Sequence, residues 1–190
     1  FVRLGDKRVL VILVAPDGDV QNRVIFTAQD YTQSQLVEAS NILNAHYSGL
    51  AIDEMRSRRD QRYADMLAAR NHAIAGVEHV LAQLHGRYAM AVVTSSQRRH
   101  FDIIHAATGF LRYFDFVLAR EDYANSKPDP EPYLAAIARL KLDAAECIAV
   151  EDTPRGLIAA TGAGLRCIVI PNALTLGGDF AAAHKVIDSV

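Results

Sequence analysis

Two adjacent carboxylates follow an apolar run in the last third of the chain. The run Ile148 to Val150 leads into Glu151 and Asp152, and Thr153 to Gly156 then has the composition of a helix start. Carboxylates at the carboxyl end of a buried strand can hold a hard cation such as Mg²⁺, and that cation can hold a phosphate. An acidic pair ahead of a helix is also ordinary capping chemistry, so the pair alone leaves both interpretations open.

Hydroxyl side chains follow a second apolar run. This run, residues 89–93, ends in Thr94, Ser95 and Ser96, just before the basic stretch Gln97 to His100. Hydrogen-bond donors at a helix start lie at the positive end of the helix dipole and bind anions. Thr94 and Ser95 are therefore predicted to bind the oxygens of a phosphate.

A lysine precedes a proline-rich helix start. Pro128 restricts Lys127 to extended backbone, and Asp129 with Pro130 is typical of a helix cap and first residue. Lys127 is thus a candidate phosphate ligand on a stiff segment, although a solvated surface lysine is the alternative. A hydroxyl, a lysine and a carboxylate pair are the groups with which phosphoryl transfer neutralises developing charge.

These motifs resemble those of the haloacid dehalogenase superfamily of phosphohydrolases, in the helical-cap branch that contains phosphoglycolate phosphatase and beta-phosphoglucomutase. Thr94 matches the second family motif, Lys127 the third, and Glu151 with Asp152 the fourth. The resemblance implies a phosphatase that depends on Mg²⁺ and acts on a small phosphorylated metabolite, of the sugar phosphate or phosphoglycolate type. It implies catalytic roles for Thr94 and Lys127, and it leaves a phosphosugar mutase open.

The first family motif departs from its pattern in this chain. The family has a strand that ends in Asp-x-Asp-Gly, in which the first Asp is the nucleophile and the second is the general acid and base. Here the apolar run Arg8 to Val14 leads to Ala15, Pro16, Asp17 and Gly18. The resemblance then places Ala15 at the nucleophile position and makes Asp17 the proton shuttle and, beside Glu151 and Asp152, a metal ligand. A methyl group cannot attack phosphorus, so catalysis is expected to be impaired.

Three alternatives to this interpretation remain open, two for the start of the chain and one for its function. Pro16 to Asp19 has the composition of a turn, in which case the true first motif is absent from the chain. The chain begins with Phe1 instead of Met, so the sequence is also expected to continue upstream or to differ near its start. The alternative function is a protein that binds a phosphorylated metabolite without cleaving it.

Composition favours an ordinary folded protein whose partners are small molecules. The 190 residues are 51% hydrophobic and 22% charged. The net charge of -2 does not favour binding to nucleic acid or to an anionic membrane. No apolar run approaches about 18 residues, and no leader with a cleavage site is recognised, so a cytoplasmic monomer or homodimer is expected. Cys147 and Cys167 lie in apolar runs and are predicted to be free, buried thiols.

Helical and strand patterns alternate along the chain and predict an α/β fold. We expect a Rossmann-like parallel sheet with helices on both faces, formed by residues 1–20 and 71–190, with a short helical cap at residues 21–70. In the cap, Arg58 and Arg59 are candidate substrate ligands, or part of a solvated helix face. The predicted strands are 8–14, 88–94, 116–118, 147–150, 166–170 and 185–187, and the predicted helices are 32–47, 51–70, 76–84, 98–107, 130–140 and 154–163.

Overall fold

The computed structural model describes residues 1–70 and 73–187. Contacts divide the chain into two compact units, Phe1–Asp65 and Met66–Val190. This division differs from the predicted one, because the first 20 residues group with the helices that follow them and not with residues 71–190. None of the helices in the described ranges is both long and apolar enough to cross a bilayer.

The N-terminal unit begins with an antiparallel three-stranded sheet. Its strands are β1 (Val2–Gly5), β2 (Arg8–Val14) and β3 (Val20–Phe26), with β2 in the centre. The prediction that residues 8–14 form the first strand of the parallel sheet is therefore wrong. A short connection lets β3 fold straight back onto β2, and neighbouring segments of this kind pair as a hairpin.

A tight turn joins β2 to β3. The Ala15 N–H donates to the Asp19 carbonyl at 2.8 Å, and the Gly18 N–H donates to the Ala15 carbonyl at 3.0 Å. The Asp17 side chain accepts from the Asp19 N–H at 3.1 Å, as aspartate does in turns. The interpretation of these residues as a turn is confirmed, and the alignment of Ala15 with a nucleophile position after a parallel strand loses its premise.

Two helices complete the N-terminal part of the chain as predicted. The first is α1 (Gln33–Tyr47), where Thr32 and Gln35 form a reciprocal capping box. The second is α2 (Ile52–Ala68), which extends past the boundary between the two units.

Parallel strands and helices make up the C-terminal unit, which confirms the predicted α/β class. The parallel strands lie in two sheets, one formed by β4 and β5 and the other by β6, β7 and β8 in that order. The strands are β4 (Ala91–Val93), β5 (Phe116–Leu118), β6 (Ile148–Glu151), β7 (Arg166–Val169) and β8 (Lys185–Val186), and the helices are α3 (Val77–Leu84), α4 (Arg98–Ala106), α5 (Glu131–Leu140) and α6 (Pro154–Gly162).

The core of this unit lies where α6 packs on β6 and β7. Small side chains at Ala159 and Ala160 let the helix approach the sheet closely, and both are fully buried together with Cys167 and Val169. Both cysteines are free thiols as predicted, with Cys167 buried and Cys147 half-buried. This packed layer fixes the carboxyl end of β6 and the start of α6, which carry part of the candidate site.

Candidate active site

A cleft of about 630 Å³ opens at the carboxyl ends of β4 and β6 in the C-terminal unit. Carboxyl ends of parallel strands are where open α/β sheets bind ligands. Three of the motifs predicted from the sequence line this one cleft, although they are separated by more than twenty residues along the chain. The residues brought together are Thr94, Ser95, Lys127, Glu151 and Asp152.

Hydrogen bonds hold the loop after β4 in place. The Thr94 N–H donates to the Leu118 carbonyl at 2.9 Å, and the buried Tyr123 hydroxyl donates to the Thr94 carbonyl at 2.8 Å. The Thr94 hydroxyl oxygen accepts from the Ser96 N–H at 3.1 Å. This arrangement fixes the Thr94 side chain but leaves its hydroxyl proton available, and the exposed Ser95 follows directly.

Arg98 anchors the start of α4 beneath this loop. Its guanidinium donates to Asp122 at 2.6 Å and to the Val117 carbonyl at 3.0 Å, and its backbone N–H donates to Glu121 at 2.9 Å. The pKa of Asp122 is lowered, first by the Ala119 N–H that donates to its carboxylate and then by Arg98. The loop and the helix start are therefore held as one piece.

The segment that carries Lys127 is held from the start of α5. The Glu131 carboxylate accepts the backbone N–H groups of Ala124 at 2.7 Å and of Asn125 at 2.8 Å, and these bonds lower the pKa of Glu131. Asp129 accepts the Glu131 N–H at 2.9 Å, but the N-cap of α5 is Pro130, one residue after the predicted cap. Sequence reasoning did not identify Glu131, whose role depends on how the loop folds back.

Lys127 and Glu151 form an ion pair that is almost fully buried, with side-chain exposures of 12% and 6%. The Lys127 ammonium also donates to the Val93 carbonyl at 2.9 Å and to the Tyr133 hydroxyl oxygen at 3.3 Å. Tyr133 in turn donates its hydroxyl proton to the same Glu151 oxygen that Lys127 contacts. Burial, and then the charge of Glu151, raises the pKa of Tyr133, so the phenol stays protonated.

A glycine makes room for the buried carboxylate. A Cβ atom on Gly156 would collide with the Glu151 carboxylate, which lies against the start of α6. Thr153 caps this helix by accepting the Gly156 N–H at 3.0 Å. Arg155 is exposed and donates to the Lys127 carbonyl. Neither Gly156 nor Tyr133 was identified as a site residue from the sequence.

Asp152 is exposed at the mouth of the cleft. One of its oxygens accepts from the Asn172 side-chain amide at 2.8 Å, which orients the carboxylate. Over residues 1–70 and 73–187, no group of three or more His, Cys, Asp or Glu side chains could hold a metal ion. Mg²⁺ often binds through one or two carboxylates, several waters and substrate phosphates. Asp152 therefore fits a Mg²⁺ ion that binds together with a phosphate, whereas Glu151 is already engaged by Lys127.

Three side chains of α4 also line the cleft. They are Phe101, Ile104 and His105, and the rings of Phe101 and His105 lie 4.3 Å apart between centroids. Burial lowers the pKa of His105, an effect that the nearby Asp102 opposes. These side chains can contact the part of a metabolite that carries no phosphate.

The remaining predicted site residues lie in the N-terminal unit. Asp17 lies on the turn between β2 and β3, and its predicted roles in proton transfer and metal binding rested on a parallel strand that this segment does not form. Arg58 pairs with Glu54 at 3.1 Å and Arg59 pairs with Asp60 at 2.7 Å along α2. A substrate-binding role for the two arginines stays a prediction.

Comparison with known proteins shows the family and the fold of the chain. Residues 22–170 match the family model of the haloacid dehalogenase-like hydrolases. A crystal structure of a CbbY variant from Rhodobacter sphaeroides, in complex with xylulose-(1,5)bisphosphate, has a TM-score of 0.67 at 26% identity, and covers 85% of this chain and 80% of that one. A CbbY structure in complex with phosphate has a TM-score of 0.66 at the same identity and coverage. A HAD hydrolase of family IA, variant 3, from Entamoeba histolytica shows the same fold at 22% identity, with a TM-score of 0.63 and coverage of 84% and 74%.

Proposed function

Because the chain belongs to the haloacid dehalogenase-like hydrolase family, we propose that this cleft is the active site of a phosphohydrolase for a small phosphorylated metabolite. The observation that carries the proposal is the convergence of Thr94, Lys127 and the Glu151–Asp152 pair on one cleft. A volume of about 630 Å³ is in the range of small-molecule sites. The phosphate and the xylulose bisphosphate bound by the similar CbbY favour a sugar phosphate as the substrate.

The proposed division of roles follows from the contacts. Thr94 and Ser95 donate hydroxyl protons to the phosphate oxygens, and Lys127 supplies an ammonium donor from a stiff, buried position. Asn172 holds Asp152 in an orientation that leaves one carboxylate oxygen for a cation. Glu151 keeps Lys127 in place and does not contact the substrate in this proposal.

Charge balance supports a role for Mg²⁺. Two carboxylates and one ammonium line the cleft, which leaves one negative charge in excess where a dianionic phosphate must bind. When bound through Asp152, Mg²⁺ would reverse this excess and neutralise charge on the phosphate. We therefore expect phosphate and Mg²⁺ each to strengthen the binding of the other.

A second candidate function is the binding of a phosphorylated metabolite without cleavage. Among the described residues that line the cleft, the carboxylates are Glu151 and Asp152, and Glu151 is held by Lys127 and Tyr133. Glu151 is therefore not placed as a free nucleophile for covalent phosphoryl transfer, and Asp152 is the proposed metal ligand. This observation is the one that favours binding without cleavage.

The experiment measures both release and binding of phosphate. The protein is incubated with a panel of sugar phosphates and phosphoglycolate, with Mg²⁺ or with EDTA, and its binding of inorganic phosphate is measured by calorimetry. Asp152→Asn removes the proposed metal ligand, and Asp143→Asn changes an exposed aspartate outside the cleft. Release that needs Mg²⁺ and is lost only in Asp152→Asn supports the phosphohydrolase. Binding with this pattern but no release supports the second candidate, and the absence of both refutes both.

A further inference from the structure

The Lys127 ammonium has as many acceptors around it in the protein as it has N–H groups. It carries three N–H donors, and they go to the Val93 carbonyl, the Tyr133 hydroxyl oxygen and the Glu151 carboxylate. If Lys127 binds phosphate, as in the proposed function on which this inference rests, one of these acceptors must be exchanged for a phosphate oxygen. Phosphate binding at Lys127 is therefore a competition with an internal partner.

The Tyr133 oxygen is the partner most readily released. Its distance from the Lys127 ammonium, 3.3 Å, is the longest of the three, and it is a neutral acceptor, unlike the Glu151 carboxylate. Giving it up leaves Tyr133 still hydrogen-bonded, because its own proton goes to Glu151. The Val93 carbonyl is held at 2.9 Å, which makes it the stronger of the two neutral acceptors.

We propose that Tyr133 is a positioning residue for Lys127: its hydroxyl oxygen accepts a hydrogen bond from the ammonium while the cleft is empty, and the same N–H group of Lys127 donates to a phosphate oxygen once phosphate is bound. The Tyr133 hydroxyl keeps donating to Glu151 in both states. A phenol can fill this double role only while it stays protonated, and burial in the core ensures this by raising its pKa.

The Tyr133 hydroxyl should oppose phosphate binding. The bond from Lys127 to Tyr133 exists only in the empty state, so it opposes phosphate binding, whereas the bond from Tyr133 to Glu151 contributes equally to both states. Tyr133→Phe removes both bonds and should therefore tighten phosphate binding. The expected gain is about fivefold, which corresponds to a hydrogen bond worth about 1 kcal/mol. A tyrosine that only supported the fold would weaken binding when its hydroxyl was lost.

The test is calorimetric titration of the full chain with inorganic phosphate in the presence of Mg²⁺. The control is Tyr113→Phe, which removes the hydroxyl of a tyrosine that contacts Arg112 outside the cleft. We expect binding about fivefold tighter for Tyr133→Phe and unchanged for Tyr113→Phe. Equal or weaker binding by Tyr133→Phe overturns this inference while the proposed function stands. If the unaltered protein binds no phosphate, the proposed function fails and the inference fails with it.

A measurement on the unaltered protein covers the case in which Tyr133→Phe does not fold. The Tyr133 hydroxyl is buried and donates to Glu151, so its proton should exchange slowly and give an NMR signal. This signal should persist when phosphate saturates the protein, while the Lys127 ammonium resonance shifts. Loss of the hydroxyl signal, or an unmoved ammonium resonance, would contradict the exchange of acceptors.

Discussion

Removing the Lys127 ammonium should destabilise the C-terminal unit strongly. Lys127 and Glu151 keep only 12% and 6% of their side-chain surface exposed, and loss of one partner from a buried ion pair leaves an uncompensated charge at a cost of about 3–5 kcal/mol. Lys127→Met keeps the length of the side chain, and Tyr133 still donates to the stranded carboxylate. We therefore expect a loss near the lower end, about 3 kcal/mol.

A double-mutant cycle separates the pair from its surroundings. Glu151→Gln keeps an acceptor for Tyr133 but removes the charge, and Lys127→Met with Glu151→Gln leaves no uncompensated charge. The double variant should thus lose about 2 kcal/mol less stability than the two single variants together. Arg58→Met is the control, because Arg58 pairs with Glu54 on an exposed helix face with exposures of 57% and 51%. An exposed helical pair is worth about 0.3–0.5 kcal/mol.

The assay must report on one unit of a chain that has two. Far-UV circular dichroism would mix their transitions, whereas alkylation of the fully buried Cys167 thiol in a urea series follows the core beside the site. A loss below about 1 kcal/mol for Lys127→Met is the range of a surface pair. Either that result or strictly additive losses of stability in Lys127→Met and Glu151→Gln would show that the ion pair is solvated. The expected loss of about 3 kcal/mol would then be refuted.

Three further predictions concern neighbouring groups. Gly156→Ala places a methyl group against the Glu151 carboxylate and should cost about 1–3 kcal/mol, whereas Gly162→Ala, whose nearest contact lies at 3.4 Å, should cost less; equal losses would contradict the crowding. Burial raises the pKa of Cys167 from 9.0 to about 11, so the stability it contributes is complete below pH 9 and falls as the pH rises toward 11. Cys167→Ala should make the fall in stability between pH 9 and 11 shallower in urea titrations, and an unchanged slope would refute this contribution of Cys167. Glu131→Gln should speed hydrogen exchange of the two loop amides that its carboxylate accepts, and unchanged exchange would show that the loop is held elsewhere.

The C-terminal unit could be predicted well because each element carries its own local signal. The apolar runs before Thr94 and Glu151 are strands, and α5 and α6 begin next to their prolines within a residue of expectation. Strand β4 is shorter than predicted, since only 91–93 of the predicted 88–94 are strand residues paired with β5, although Met90 and Thr94 also share backbone hydrogen bonds with the segment around β5. Apolar composition shows where a segment runs but not at which residue the strand begins or ends.

Strand β2 shows that an apolar run does not specify whether a strand pairs parallel or antiparallel to its neighbours. An all-apolar segment such as residues 9–14 of β2 fits the centre of a parallel sheet and also the centre of an antiparallel one. The decisive information lies in Val20–Phe26, which pairs with it along its whole length, and in the Asp-Gly turn between them. Resemblance to a family motif favoured the parallel arrangement, and the local turn chemistry supported the other.

The sequence predicted that Thr94, Lys127 and the Glu151–Asp152 pair lie together, but it did not predict the connections between their side chains. Tyr133 lies six residues after Lys127, and Glu151 lies on a strand far away in sequence. Whether the three side chains meet depends on how α5 packs against β4 and α6, which no local pattern encodes. The same holds for Gly156, whose missing side chain matters only because a carboxylate occupies that space.

These connections make Lys127 both a structural residue and a ligand of the proposed site, so loss of activity in Lys127→Met alone would not distinguish the two roles. The double change with Glu151→Gln does distinguish them. It removes the buried uncompensated charge and should restore much of the stability, but it cannot restore the ammonium donor. A folded double variant that fails to bind phosphate assigns Lys127 to the anion site. One that binds phosphate as the unaltered protein does assigns Lys127 to the fold alone, and Thr94 and Ser95 would then have to hold the anion.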